Sequence, residues 1–139
     1  MSKISATITA LGAYVPEHIL SNAMLENMVD TNNEWIIART GIKERRILKE
    51  NGKGTSYLAI NAAKDLIKKT ELDPSTIDLV IVATATPDMK AASTASFTAT
   101  AIGACNAFSF DMDSACSGFL FGMSTAASYI ESGRYKKIL

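Results

Sequence analysis

The segment FDMDSACSGF, residues 110 to 119, places Cys116 directly after a β-prone run and directly before small residues that suit a helix start. A thiol becomes a nucleophile when its thiolate is stabilised, and the unpaired backbone N–H groups and dipole of a helix N-terminus do this. Ser117 and Gly118 leave room for a substrate to approach the backbone, and the adjacent amides could hold a developing oxyanion. From these residues alone two interpretations stand: a nucleophile on a strand-to-helix turn, or a buried apolar plug, the common state of a free cysteine. Cys105, in the loop before a strand, supports only the second.

Trp35 and Arg39 lie four apart on one helical face, where they could clamp an aromatic, phosphate-bearing ligand by stacking and charge. Packing of the ring beside an exposed arginine fits the same spacing. His18, the only histidine, sits in a Pro-Glu-His loop and reads as a surface residue rather than a base. The two cysteines, eleven positions apart, have neither the paired spacing of a zinc site nor the density of a disulfide scaffold, so no metal site is expected.

The elements that must hold these residues follow from periodicity. Residues 3 to 13, KISATITALGA, alternate as a half-buried strand, and a short helix through AMLENMV is capped by Ser21 or Asn22. Thr31 and Glu34 form a capping box for the helix ending at Gly41. IKERRIL reads as a ribbon with one polar face. A helix follows from Thr55 to about Thr70, its core face made by Leu58, Ala62, Ala63, Leu66 and Ile67. LVIVATAT and AFSFDM are strands covered on both faces. Residues 93 to 104 form an uncharged helix, and 115 to 132 a helix burying Phe119, Met123, Ala126, Ala127 and Ile130. Strands alternating with helices give an α/β class. The final residues, RYKKIL, read as the start of another buried strand, so the 139 residues are expected to belong to a longer protein.

Composition narrows the class. Fourteen basic residues balance fourteen acidic ones with no long run of one sign, which argues against nucleic acid as a partner. No apolar run approaches the roughly 20 residues of a membrane span. The apolar segment from Ile4 to Val15 lacks the basic flank and cleavage site of a leader, and with the reduced thiols this points to the cytoplasm.

VDTNNEWIIARTGIKERR, LVIVATATPD and FDMDSACSGF together resemble the N-terminal half of the β-ketoacyl-acyl-carrier-protein synthase III family, condensing enzymes of the thiolase superfamily. The resemblance runs in order over essentially all of residues 1 to 139. It implies a thiolase-like N-terminal half of a five-layered α/β/α/β/α fold, working as a homodimer. It also implies that Cys116 takes an acetyl or other short acyl group from coenzyme A, which is substrate and not cofactor. Malonyl on acyl carrier protein would then lose carbon dioxide and attack the thioester. Trp35 and Arg39 match positions gripping the adenine end of coenzyme A, and Thr31 and Thr40 lie in the same block.

Two features depart from the family pattern. Ala91 and Ala92 stand where a bulky apolar residue and proline are common, which leaves room for longer or branched acyl groups. Asp113 stands where a small or apolar residue is usual. The histidine and asparagine of the decarboxylation step belong to the family's second half, and His18 is not in the matching motif. The 139 residues alone are therefore expected not to condense acetyl with malonyl groups, and a non-catalytic folding or assembly unit is the other alternative.

Overall fold

A computed structural model describes residues 4–139, which divide into two compact units. One comprises the described part of Met1–Tyr14 with Gly54–Leu139, the other Val15–Lys53.

The first unit is built on two parallel strands, β3 (Leu79–Ala83) and β4 (Phe108–Met112), in register from Leu79 opposite Phe108 to Ala83 opposite Met112. Parallel strands need a crossover, and here it carries α4 (Thr94–Ile102), capped by Ser93, whose hydroxyl accepts from Ser96 N at 3.0 Å. Gly103, at φ 83°, ends that helix in the left-handed conformation. The 16-residue α3 (Thr55–Thr70) packs on α4. Small side chains allow the close approach: Ala63, Ala95, Ala99 and Ala104 form the core with Ile77, Val80 and Ile102.

Asp111, on β4, locks the crossover to the sheet. Its carboxylate accepts from Thr94 N at 2.7 Å and from Ala95 N at 2.8 Å, satisfying two of the amides that a helix start leaves free. Hydrogen bonds to a charged group contribute about 1.5–3 kcal/mol each when a partner is removed. Asp111→Ala is expected to destabilise the chain by about 2 kcal/mol or more, read as a lower urea midpoint at unchanged slope.

The closing residues form an isolated parallel bridge to β3 rather than the buried strand expected there, and Ile138 and Leu139 are half-buried. Ile138 bridges Leu79 in parallel, Ile81 N donates to Leu139 O at 2.8 Å, and Leu139 N to Leu79 O at 2.9 Å. Asp78 steadies this edge by accepting from the amides of Lys136 at 2.7 Å and Lys137 at 3.0 Å. Those two amides hold the Asp78 carboxyl below the usual aspartate range. A depressed carboxyl stabilises the fold above its unfolded value near 4, and that contribution fades as pH falls through the lower folded value. Amide exchange of Leu139 and Ile81 is therefore expected to accelerate as pH drops below about 4, relative to the core amide of Val80, and Asp78→Asn should remove that difference.

Three further expectations in this unit are corrected. The alternating segment from Ile4 to Ala13 is in no strand; Lys3 lies outside the described residues. Ile8 and Leu11 are 61% and 78% exposed, because no neighbouring ladder receives this segment's amides and carbonyls. Gly12 instead lies against the Ala62 carbonyl and Leu66 of α3, in a space that a Cβ would overfill. The last helix, α5 (Gly118–Glu131), starts later than expected and does not bury the face read from its period. Phe119 is 69% exposed and Met123 41%, although α5 lies against β3. Cover over both strands is likewise partial: Leu79 and Val80 are buried, Ile81 and Val82 only half-buried.

In the second unit β1 (Ile19–Ser21) pairs antiparallel with β2 (Glu44–Arg46), a partner that the sequence periodicity did not reveal. Helices α1 (Asn22–Glu26) and α2 (Asn33–Thr40) complete it. Asn22, buried, is the hub: its amide donates to Asn33 Oδ1 at 3.0 Å and Ile42 O at 2.9 Å, and its oxygen accepts from Arg45. Ser21 caps α1 as expected, but that helix stops at Glu26, where Asn27 turns back to donate to Ala23 O. His18 is half-buried rather than on the surface, and its Nε2 is buried without a hydrogen-bond partner.

Candidate active site

Cys116 occupies a tight 3-10 turn, Ala115–Ser117, between β4 and α5. This corrects the expected α-helical N-terminus, since the helix proper begins at Gly118. The reason is local. Ser117 N donates to Ser114 O at 3.0 Å and Gly118 N to Ala115 O, so the backbone closes three-residue rings before the α-helical pattern begins. The two amides following Cys116 are thereby engaged within the turn and do not serve an oxyanion. Cys116 is exposed, which removes the interpretation as a buried plug. Cys105 is also exposed, against its expected structural burial.

The turn is clamped at both ends. Before it, Met112 O accepts from Thr84 N at 3.1 Å. After it, Gly118 is buried with its Cα against the end of β3, where an added Cβ would meet the Ala83 methyl at 3.3 Å. Gly118 thus serves helix-on-strand approach, not the open substrate path expected from its size. Between the clamps Ala115 adopts φ 43°, one of two non-glycine residues with positive φ among those described. A left-handed L-residue costs roughly 1–2 kcal/mol, and such strain collects at turns that present a nucleophile. Asp113 Oδ1 lies 3.5 Å from Ala115 N, a long contact that adds little.

Ala115→Gly is expected to stabilise the chain by up to about 1 kcal/mol, the relieved strain being partly offset by glycine's greater unfolded entropy. Urea denaturation reads this as a raised midpoint; an unchanged or lowered midpoint would show that the turn is not strained.

The other candidates lie in the second unit. Arg39 stacks its guanidinium over Trp35, 4.9 Å from the ring centroid, so the four-residue spacing does bring them together. The indole remains 54% exposed. Trp35 lines a shallow cleft of about 250 Å³ with Asp30, Thr31 and Asn32. The capping box centred on Thr31 is corrected: Asn32 caps α2, accepting from Trp35 N at 2.8 Å, and Glu26 accepts from Asn33 N at 2.6 Å. Asparagine is the stronger cap and displaces the start by one residue. Thr40 is exposed and its hydroxyl closes the helix end, donating to Ile36 O at 2.7 Å and accepting from Ile42 N at 3.1 Å, beside Gly41 at φ 69°. Among the described residues no cluster of His, Cys, Asp and Glu is placed to hold a metal ion, and no helix is long and apolar enough to cross a membrane.

Comparison with known proteins bears on the segment just described. Residues 110–139, the Cys116 turn with the end of β4 and α5, match the family model of 3-oxoacyl-[acyl-carrier-protein (ACP)] synthase III. The whole chain is 58% identical to a β-ketoacyl-[acyl-carrier-protein] synthase III of Bacteroides thetaiotaomicron, covering 42% of that protein. Over its whole length the chain is thus similar to part of the synthase III proteins. The crystal structure of the Aquifex aeolicus synthase III superposes with TM-score 0.88 at 43% identity, over 93% of this chain and 41% of that one. The synthase III of Thermus thermophilus gives 0.89 at 40% identity, over 96% and 41%. The expected thiolase-like α/β class is borne out for the part these residues cover. They span less than half the length of the relatives that they match.

Proposed function

We propose that these residues are the N-terminal thiolase-like half of a β-ketoacyl-acyl-carrier-protein synthase III that starts fatty-acid synthesis. The observation that carries it is the exposed Cys116 thiol on a strained turn at the C-terminal end of β4, within the segment that the family model matches. Ligands of parallel α/β sheets gather at that end of the strands. In the first step the Cys116 sulfur attacks the carbonyl carbon of an acetyl or other short acyl-coenzyme A. A new C–S bond forms at Cys116, the bond to coenzyme A breaks, and coenzyme A leaves as the thiolate that takes the displaced proton.

Trp35 and Arg39 would hold the adenine end of coenzyme A. The stacked guanidinium covers one face of an exposed indole, which favours an aromatic ligand beside a positive charge that suits phosphate. Thr31 lines the cleft next to that ring, while the Thr40 hydroxyl closes the C-terminal end of α2. In the intact enzyme the acyl group condenses with malonyl-acyl carrier protein with loss of carbon dioxide, using a histidine and an asparagine of the second half. A cytoplasmic homodimer fits this role, and exposed Phe119, Leu120 and Phe121 on α5 are apolar surface that suits cover by further protein.

Incubation with acetyl-coenzyme A followed by intact-mass measurement tests the first step. A gain of one acetyl group is expected on a Cys105→Ser chain and none on Cys116→Ser. Trp35→Ala should raise the coenzyme A concentration needed for half loading about tenfold, corresponding to loss of roughly 1–3 kcal/mol of stacking. Acetylation that survives Cys116→Ser would overturn the assignment.

A further inference from the structure

The loop from Thr84 to Ser93, joining β3 to α4, leaves the sheet beside the thiol. Ala83 pairs with Met112 and meets Gly118, and Thr84 N donates to the carbonyl of Met112, the last residue of β4 before the Cys116 turn. The loop is then fastened to the start of α3. Thr55 Oγ1 donates to Thr86 O at 2.6 Å, and Thr86 N donates to Thr84 Oγ1 at 3.0 Å. Asp88 makes the main attachment. Its carboxylate accepts from Ser56 N at 3.1 and 3.2 Å and from the Ser56 hydroxyl, and it lies against Gly54. Gly54 offers α3 no side-chain cap, so Asp88 supplies from the loop what the helix lacks. Past this attachment, Met89 is 54% exposed and Lys90 and Ala91 are exposed too, so Asp88 is the last anchor before the Ser93 cap of α4.

We propose that Asp88 is a positioning residue: by holding the β3–α4 loop on α3 it keeps the approach to Cys116 open to bulky thioesters, long or branched acyl groups included. The acyl part of this statement rests on Cys116 being the acyl acceptor; the steric part does not. Freed from α3, a ten-residue loop rooted at Ala83 reaches the neighbouring turn and obstructs large reagents before small ones.

The test uses a Cys105→Ser chain treated with methyl and benzyl methanethiosulfonate, with Cys116 modification followed by mass. In each case the Cys116 thiolate bonds to the reagent's thioalkyl sulfur and methanesulfinate leaves. Asp88→Ala is expected to lower the benzyl-to-methyl rate ratio at least threefold, with Ser56→Ala shifting it less in the same direction and Asp88→Glu restoring it. An unchanged ratio, or equal slowing of both reagents, overturns the proposal. If circular dichroism shows Asp88→Ala unfolded, the folded Ser56→Ala chain decides by the same ratio. Loading from acetyl- against isobutyryl-coenzyme A is measured in parallel. A shifted thiosulfonate ratio with no acyl loading at all would uphold the role of Asp88 and count against the acyl-acceptor function alone.

Discussion

The Asp111 carboxylate holds the site-bearing unit together, because it joins the sheet to its crossover at the one point where both are chemically incomplete. A parallel pair of strands cannot close through a short turn, so α4 must travel back along the sheet and begin again beside the C-terminal ends of β3 and β4. There its first amides have no helical partner, and Asp111 projects from β4 to take two of them. The alanines between α3, α4 and the sheet then close the core at short distance.

The same end of the sheet shows a division of labour among helix starts. Asp111 occupies the start of α4 and Asp88 that of α3, whereas the turn leading into α5 has no side-chain cap. Two carboxylates thus satisfy the starts of α3 and α4, and the remaining start carries the exposed Cys116 thiol. The turn reaches that state through strain: Ala115 takes a left-handed conformation, and Gly118 permits α5 to press on Ala83. A thiol held this way stays in solvent, unlike most free cysteines.

Local features were legible where local forces decide them. Helix α3 was readable from Thr55 to Thr70, because amphipathic period and helix propensity act within a few residues. Gly41 ends α2 as expected, for similar local reasons of capping. The failures were of longer range or of close competition. Thr31 lost the cap to Asn32, one position away and chemically stronger. Residues 4 to 13 carry an alternating pattern yet pair with no strand, since a strand exists only where a second strand receives its hydrogen bonds. The roles of Asp88 and Asp111 do not show in the sequence, because the helix amides that they serve are 32 and 16–17 residues away.

By itself the sequence determined which residue could act as a nucleophile, the ring and cation that stack on α2, the alternation of strands and helices, and the family motifs. These are properties of side-chain type and short spacing. Only the tertiary structure decided that Cys116 is exposed, that it sits in a 3-10 turn ahead of its helix, and that a strained alanine and a buried glycine aim it. Exposure and backbone strain depend on what the rest of the chain packs against a residue, and no window of neighbouring residues contains that.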